Sequence, residues 1–298
     1  MTITILDGGM GQELLARTGA EPTGLWATQV MMDHPEAVRA IHADYFAAGA
    51  DIATINSYAI HRDRLDPAGQ GDRFEELHRQ AVTLAAEARD AHGSGRIAGA
   101  LGPLGWSYKA ELAPPSDVAA RLYADIVAIQ DPYVDLFVLE TMSGVDQARG
   151  GLMGTAHTEK PVCLGLSVDD NDGTKLRSGE PLEDILPLLT EYRVDAVLLN
   201  CSRPEAISQG LPVLARAGLP FGGYANGFTS IAESFKAAGE TVKRLESRRD
   251  LGPAEYANFT DHWISLGATI VGGCCEVGPA HIAEIATRVG KRIHEPAH

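Results

Sequence analysis

Apolar residues in this chain fall into short runs bounded by turn signals. Eight such runs, many of them β-branched, span Thr2–Leu6, Asp51–Asn56, Ile97–Leu101, Asp135–Glu140, Val162–Val168, Asp195–Asn200, Pro220–Ala225 and Ala268–Val271. Most are nearly continuously apolar, which is the pattern of parallel strands buried on both faces. Between them the spacing changes to threes and fours. Helices are predicted over Pro35–Ala48, with Val38, Ile41 and Tyr45 inward and Gly49 as the stop, and over Arg73–His92, with Phe74, Leu77, Leu84 and Ala88 inward. Ser116–Gln130 presents Val118, Leu122, Ile126 and Ile129, and Glu255–Leu266 presents Tyr256, Phe259, Trp263 and Leu266, a strip that suits either barrel packing or a subunit contact. His281–Val289 closes the series.

Strands alternating with helices over 298 residues predict an α/β protein, a (β/α)8 TIM barrel forming a single domain over 1–298. A doubly wound open sheet is the rival. Its Gly-rich first turn has a counterpart in Asp7-Gly8-Gly9-Met10-Gly11, but the G-x-G-x-x-G spacing is absent and no acidic residue closes strand two at the expected place. Residues 226–252 form a long insertion before the last helix and strand.

Composition narrows the function. Hydrophobic residues make up 45% and charged residues 22%, an ordinary globular balance. The net charge of −15 disfavours nucleic acid, whose phosphates need Lys and Arg. No signal peptide and no run long enough to cross a membrane is visible, so a cytoplasmic protein is expected, with a homo-oligomer as one option. The 10 histidines show no H-x-H or H-E-x-x-H pairing, which disfavours a His-built zinc hydrolase.

Barrel enzymes carry their reactive groups on the loops just after each strand. Applied here, that rule gathers Asp7, Gly8 and Gly9; Asn56, Ser57 and Tyr58; Glu140 and Thr141; Asn200 and Cys201; and Gly272, Gly273, Cys274 and Cys275. Three of the 4 cysteines thus share one face. Three thiolates favour zinc and leave a fourth tetrahedral position open. Adjacent cysteines need a sharp turn to share one ion, and Gly272 and Gly273 supply the freedom. Small buried core residues, or a redox pair, are the alternatives; Cys163, inside a strand, reads as core.

Leu6-Asp7-Gly8-Gly9-Met10, Trp26, Asn56-Ser57-Tyr58, Leu139-Glu140-Thr141, Asn200-Cys201 and Gly272-Gly273-Cys274-Cys275 together resemble the homocysteine S-methyltransferase family, in order from about residue 3 to 290. The resemblance implies a zinc-dependent barrel that methylates homocysteine to methionine. It implies that Cys201, Cys274 and Cys275 hold zinc, that Asp7 and Glu140 hold the amino group of homocysteine, and that Gly8 and Gly9 turn beside the amino-acid portion. Tyr58 matches a tyrosine near the metal. The methyl-onium donor is expected to be S-methylmethionine, with betaine or another sulfonium or ammonium as alternatives. A different thiol or selenol acceptor, a non-catalytic zinc-binding methyl-carrier partner, or a flavin or nucleotide barrel with incidental cysteines are the competing functions. Trp26 is placed to face an onium by cation–π contact or to pack in the core. Trp106 and Tyr108 follow strand three as further aromatic candidates. The segment 224–236 departs from the S-methylmethionine branch, and within it Asn226 is the candidate substrate contact. Asp90-Ala91-His92-Gly93-Ser94-Gly95 fits a cobalamin D-x-H-x-x-G pattern but reads as a helix stop, and Asp169–Gly173 reads as a solvated turn.

Overall fold

A computed structural model describes residues 2–20, 24–25, 27–231 and 245–293. All eight expected strands form: β1 (Thr4–Ile5), β2 (Ile52–Thr54), β3 (Arg96–Leu101), β4 (Leu136–Met142), β5 (Val162–Leu166), β6 (Ala196–Asn200), β7 (Phe221–Ala225) and β8 (Ile270–Gly273). They pair in parallel in the order β1-β8-β7-β6-β5-β4-β3-β2. The circle closes between β1 and β2 through one parallel bridge, Leu6 to Ile52. This is a (β/α)8 barrel, and the open doubly wound sheet is excluded. Strands β5, β6 and β7 are buried along their whole length, as parallel strands covered on both faces are.

The helices are α1 (Met10–Thr18), α2 (Ala27–Asp33), α3 (Pro35–Ala47), α4 (Arg62–Leu65), α5 (Phe74–His92), α6 (Ser116–Gln130), α7 (Val145–Gly154), α8 (Leu188–Glu191), α9 (Pro204–Leu214), α10 (Pro253–Ser265) and α11 (Pro279–Arg288). Proline opens α3, α9, α10 and α11, where its fixed φ and missing N–H do no harm. Tyr256 and Trp263 of α10 are buried in barrel packing and Phe259 is partly buried against it, while Leu266 is exposed.

Two expectations need correction. The buried face of α6 is Ala119, Tyr123, Ile126, Val127 and Gln130, rotated from the predicted one. Two polar groups on that face find partners: the Tyr123 hydroxyl donates to Gly102 O at 2.9 Å and Gln130 Nε2 to Ser57 Oγ at 3.1 Å. Helix α7 was not expected from the sequence, because Gly150, Gly151 and Gly154 weaken its helical signal. Those glycines serve the contact with α6. A Cβ on Gly154 would lie 2.4 Å from Tyr123 Cβ, and one on Gly150 2.7 Å from Ala119 Cβ.

The D-x-H-x-x-G segment is a helix stop, with α5 ending at His92 and Gly93 left-handed at φ 84°. Cys163 is buried in β5. The insertion begins and ends on a short antiparallel pairing of Phe228 with Ser247. Its centre, residues 232–244, lies outside the described residues, as does Trp26. Among the described residues no helix is long and apolar enough to cross a membrane.

Candidate active site

The C-terminal ends of the strands surround one cavity, and the three cysteines meet at its wall. Cys201 follows β6, while Cys274 and Cys275 follow β8. Their sulfurs all lie within 4.8 Å of one another, and Cys201 Sγ is 2.7 Å from Cys274 Sγ. The backbone places them deliberately: Cys201 N donates to Tyr224 O at 3.2 Å and Cys274 N to Ala225 O at 2.9 Å, so both ligand loops hang from β7. Hydrogen bonds from the Cys274 and Cys275 thiols, with another from the Tyr108 hydroxyl, hold the Cys201 thiol well below its usual range despite burial. The Cys274 and Cys275 thiols are pushed up, first by their hydrogen bonds to Cys201. Protons crowded among three sulfurs in this way are what a soft cation displaces.

The glycines beside them act differently from the expectation. Neither Gly272 nor Gly273 has positive φ; the left-handed residues are Glu276 at φ 64° and Cys201 at φ 50°. Gly272 and Gly273 are required by contact instead, since Cβ atoms there would lie 2.6 Å from Leu6 Cβ and 2.1 Å from Val277 Cγ1. Gly8 and Gly9 complete the fit. Gly9 N donates to Val277 O at 2.9 Å, and Cβ atoms would strike Val277 O at 2.1 Å from Gly8 and Cys274 O at 2.7 Å from Gly9. The first loop therefore lies flat on the cysteine loop; Gly9 lines the cavity, while Gly8 packs against Val277 and Tyr45.

Asp7 and Glu140 both line this cavity. Asp7 Oδ2 accepts Thr54 N at 2.8 Å, and burial pushes the carboxyl up to about 7. Glu140 is pushed up to about 8 by burial and then by the charges of Asp7 and Cys201. The β4–β5 ladder shifts register between Leu139 and Met142, with Thr141 left-handed at φ 61°, so Glu140 lies at an irregularity within the strand rather than at its end. Asn200 pins that irregularity: its Oδ1 accepts Thr141 N and its Nδ2 donates to Thr141 Oγ1, both at 3.0 Å.

Three tyrosines line the cavity. The Tyr58 hydroxyl is 2.8 Å from Ser107 Oγ, and the Tyr108 hydroxyl donates to Cys201 Sγ at 3.3 Å. Tyr224, which the sequence reading missed, donates to Glu140 Oε1 at 3.3 Å. Its inward position on β7, two residues after Gly222, was the available signal. Trp106 stays outside, beneath the Arg64 guanidinium at 5.5 Å. Asn226 is buried but does not line the cavity; its Oδ1 accepts Phe228 N at 3.2 Å, closing a turn. No Lys, Arg or His stands among the described lining residues. Phe228, Ile231 and Leu245 of the insertion pack with Tyr108 around the cysteines as an apolar shell.

Comparison with known proteins agrees with this geometry. Residues 4–289 match the homocysteine S-methyltransferase family. The chain is 29% identical to the homocysteine S-methyltransferase of Escherichia coli, over 96% of this chain and 95% of that one. It is 27% identical to homocysteine S-methyltransferase 4 of Zea mays, over 96% and 89%. Among solved structures it resembles the metallated form of the E. coli homocysteine methyltransferase MmuM, with TM-score 0.81, 26% identity and coverage of 97% and 96%. The apo form of that enzyme gives TM-score 0.71 at 26% identity, with the same coverage of 97% and 96%. A match that spans nearly every strand and helix leaves one conclusion: the chain belongs to the homocysteine S-methyltransferase family.

Proposed function

We propose that this chain transfers a methyl group from an onium donor, S-methylmethionine, to homocysteine, giving methionine. The observation that carries the reading is the convergence of three thiols, the buried Asp7 carboxyl and the half-buried Glu140 carboxyl on one cavity with no cation among its described lining residues. Cys201, Cys274 and Cys275 suit zinc by donor type and spacing. When bound there, zinc supplies a fourth position at which a substrate thiol is held as thiolate at neutral pH, where a free thiol of pKa about 8.5 is mostly protonated.

The chain's own residues do the rest. Asp7 and Glu140 ionise against the ammonium of homocysteine, which offsets the burial that raises them. Tyr224 orients Glu140 through its hydroxyl. Tyr58 and Tyr108 give an onium methyl group a polarisable wall. Phe228, Ile231 and Leu245 keep water away from the sulfurs, so neither the thiolate nor the onium is solvated in the reacting pair. The homocysteine sulfur lone pair forms the new S–CH3 bond as the donor's S–CH3 bond breaks and its pair stays on the leaving sulfur. No protein base is needed.

The test is methionine formation, followed by mass spectrometry on reduced, zinc-loaded protein. Homocysteine is paired in separate tubes with S-methylmethionine, betaine, dimethylsulfoniopropionate and S-adenosylmethionine. The expected result is turnover with S-methylmethionine. Turnover confined to another tube reassigns the donor, and none in any tube with one zinc per chain overturns the proposed reaction.

A further inference from the structure

Behind Cys201, on the side away from the cavity, lies a buried cation that the reaction above does not use. Arg177, in the loop after β5, is 4% exposed and forms a two-pronged pair with Asp170, itself 7% exposed, at 2.8 and 3.3 Å. A buried pair of this kind is a weak source of stability, which invites a question about its other contacts. Three are informative. Arg177 Nη2 donates to the carbonyl of Cys201 at 3.1 Å. Its Nε donates to Ser167 Oγ at 2.7 Å, and that hydroxyl donates to the same Cys201 carbonyl at 3.3 Å. The guanidinium carbon stands 4.8 Å from the centre of the Tyr108 ring, whose hydroxyl reaches Cys201 Sγ. Asp170 extends the network by accepting Arg203 N at 3.3 Å and Ile231 N at 2.9 Å. Loops after β3, β5, β6 and β7 thus meet at one ion pair.

Cys201 is left-handed, a conformation that a non-glycine residue holds only when its surroundings fix it. We propose that Arg177 is a positioning residue for the cysteine centre: it fixes the Cys201 backbone through its carbonyl and the Tyr108 ring by stacking, and so sets the direction of the Cys201 sulfur. The inference rests on reading the three cysteines as a metal centre. Arginine suits the task because its planar fork serves Asp170 and Cys201 at once, which a lysine ammonium cannot do in the same geometry.

Cobalt(II) is the probe, since its thiolate charge-transfer and ligand-field bands report sulfur geometry without turnover. Cobalt and zinc affinities are measured by chelator competition for the unaltered chain, Arg177→Lys and Arg177→Met, beside the melting temperature of each metal-free protein. Both variants are expected to lose about 10–100-fold in metal affinity, the range typical of groups that orient ligands. Their cobalt bands should shift, and Arg177→Lys, which keeps a charge against Asp170, should melt close to the unaltered chain. If Arg177→Met does not fold, Arg177→Lys decides. Unchanged affinity and spectra in folded variants overturn the proposal, as does failure of both to fold, which assigns Arg177 to the scaffold. If the unaltered chain binds neither metal, the metal reading itself fails, a result distinct from both.

Discussion

At the N-terminal end of the barrel three aspartates repeat one arrangement. Asp51, Asp135 and Asp195 precede β2, β4 and β6. Each donates its backbone N–H to the carbonyl of Ile5, Ile97 or Val162, at 2.7, 2.8 and 2.8 Å, and accepts that same residue's N–H on Oδ2, at 2.7, 2.7 and 2.9 Å. Each also has a cation at hand, respectively Lys291, Arg89 and Arg193. The C-terminal end repeats nothing. Two carboxyls that line its cavity, the buried Asp7 and the half-buried Glu140, have no cation among the causes that act on them. Of the non-glycine left-handed residues in the described chain, Tyr108, Cys201 and Glu276 belong to its loops and Thr141 to the irregular end of β4. One end satisfies its polar groups cheaply and identically. The other holds two acids without a cation and bent backbone, which persist only because the scaffold beneath is well tied.

The largest effect is expected at the irregular end. Cys274→Ala should remove most zinc and all measurable methyl transfer; metal analysis beside a turnover assay checks this, and full activity would refute the metal assignment. Next comes Glu140→Ala. Losing a charge-assisted contact worth about 1.5–3 kcal/mol should raise the KM for homocysteine roughly 10–100-fold while zinc stays bound. Loss of zinc instead would place Glu140 in the metal's support.

The raised carboxyls also give a pH signature. Their folded values, about 7 and about 8, exceed ordinary unfolded ones, so their contribution to stability is present in acid and lost as pH rises through the folded values. An ammonium ligand restores it. The rise in melting temperature produced by norleucine, an analogue with no thiol, should therefore be larger at pH 8 than at pH 6.

At the regular end Asp195→Ala should cost about 1–3 kcal/mol of stability by leaving Val162 N unpaired, with kcat/KM unchanged. A urea titration separates this from a change in activity. The smallest effect should come from Glu276→Gly, which relieves a left-handed residue and should raise the urea midpoint by an amount equivalent to about 1 kcal/mol. Destabilisation there would show that Glu276 is not strained.

The same contrast governs what the sequence discloses. The strands were legible because burial on both faces writes a continuous apolar run, and Asp7, Glu140 and the cysteines because strand ends are where barrel loops collect chemistry. The contacts of Tyr224 and Arg177 were not, since each depends on register or on loops distant in sequence. Asp170 shows the limit well. In an Asp-Asp-Asn-Asp-Gly run it looks like a solvated turn residue, and only the fold turns it inward onto Arg177. Glycine was legible as a requirement but not in its cause: Gly272 and Gly273 looked like conformational freedom and proved to be close packing.

The seam between β1 and β8 has a consequence for how the protein is made. Thr4 pairs with Ile270, so the first barrel strand waits for the eighth before it has a partner on that side. Asp7 rides on that first strand, and two of the three thiols arrive just after the last. A chain interrupted between β6 and β8 thus carries Asp7 and Cys201 but neither the pair of cysteines nor the wall they stand on, and one interrupted earlier than β6 carries none of the three thiols. The three-thiol cluster and the cavity beside it are therefore complete only when the ring of strands is closed.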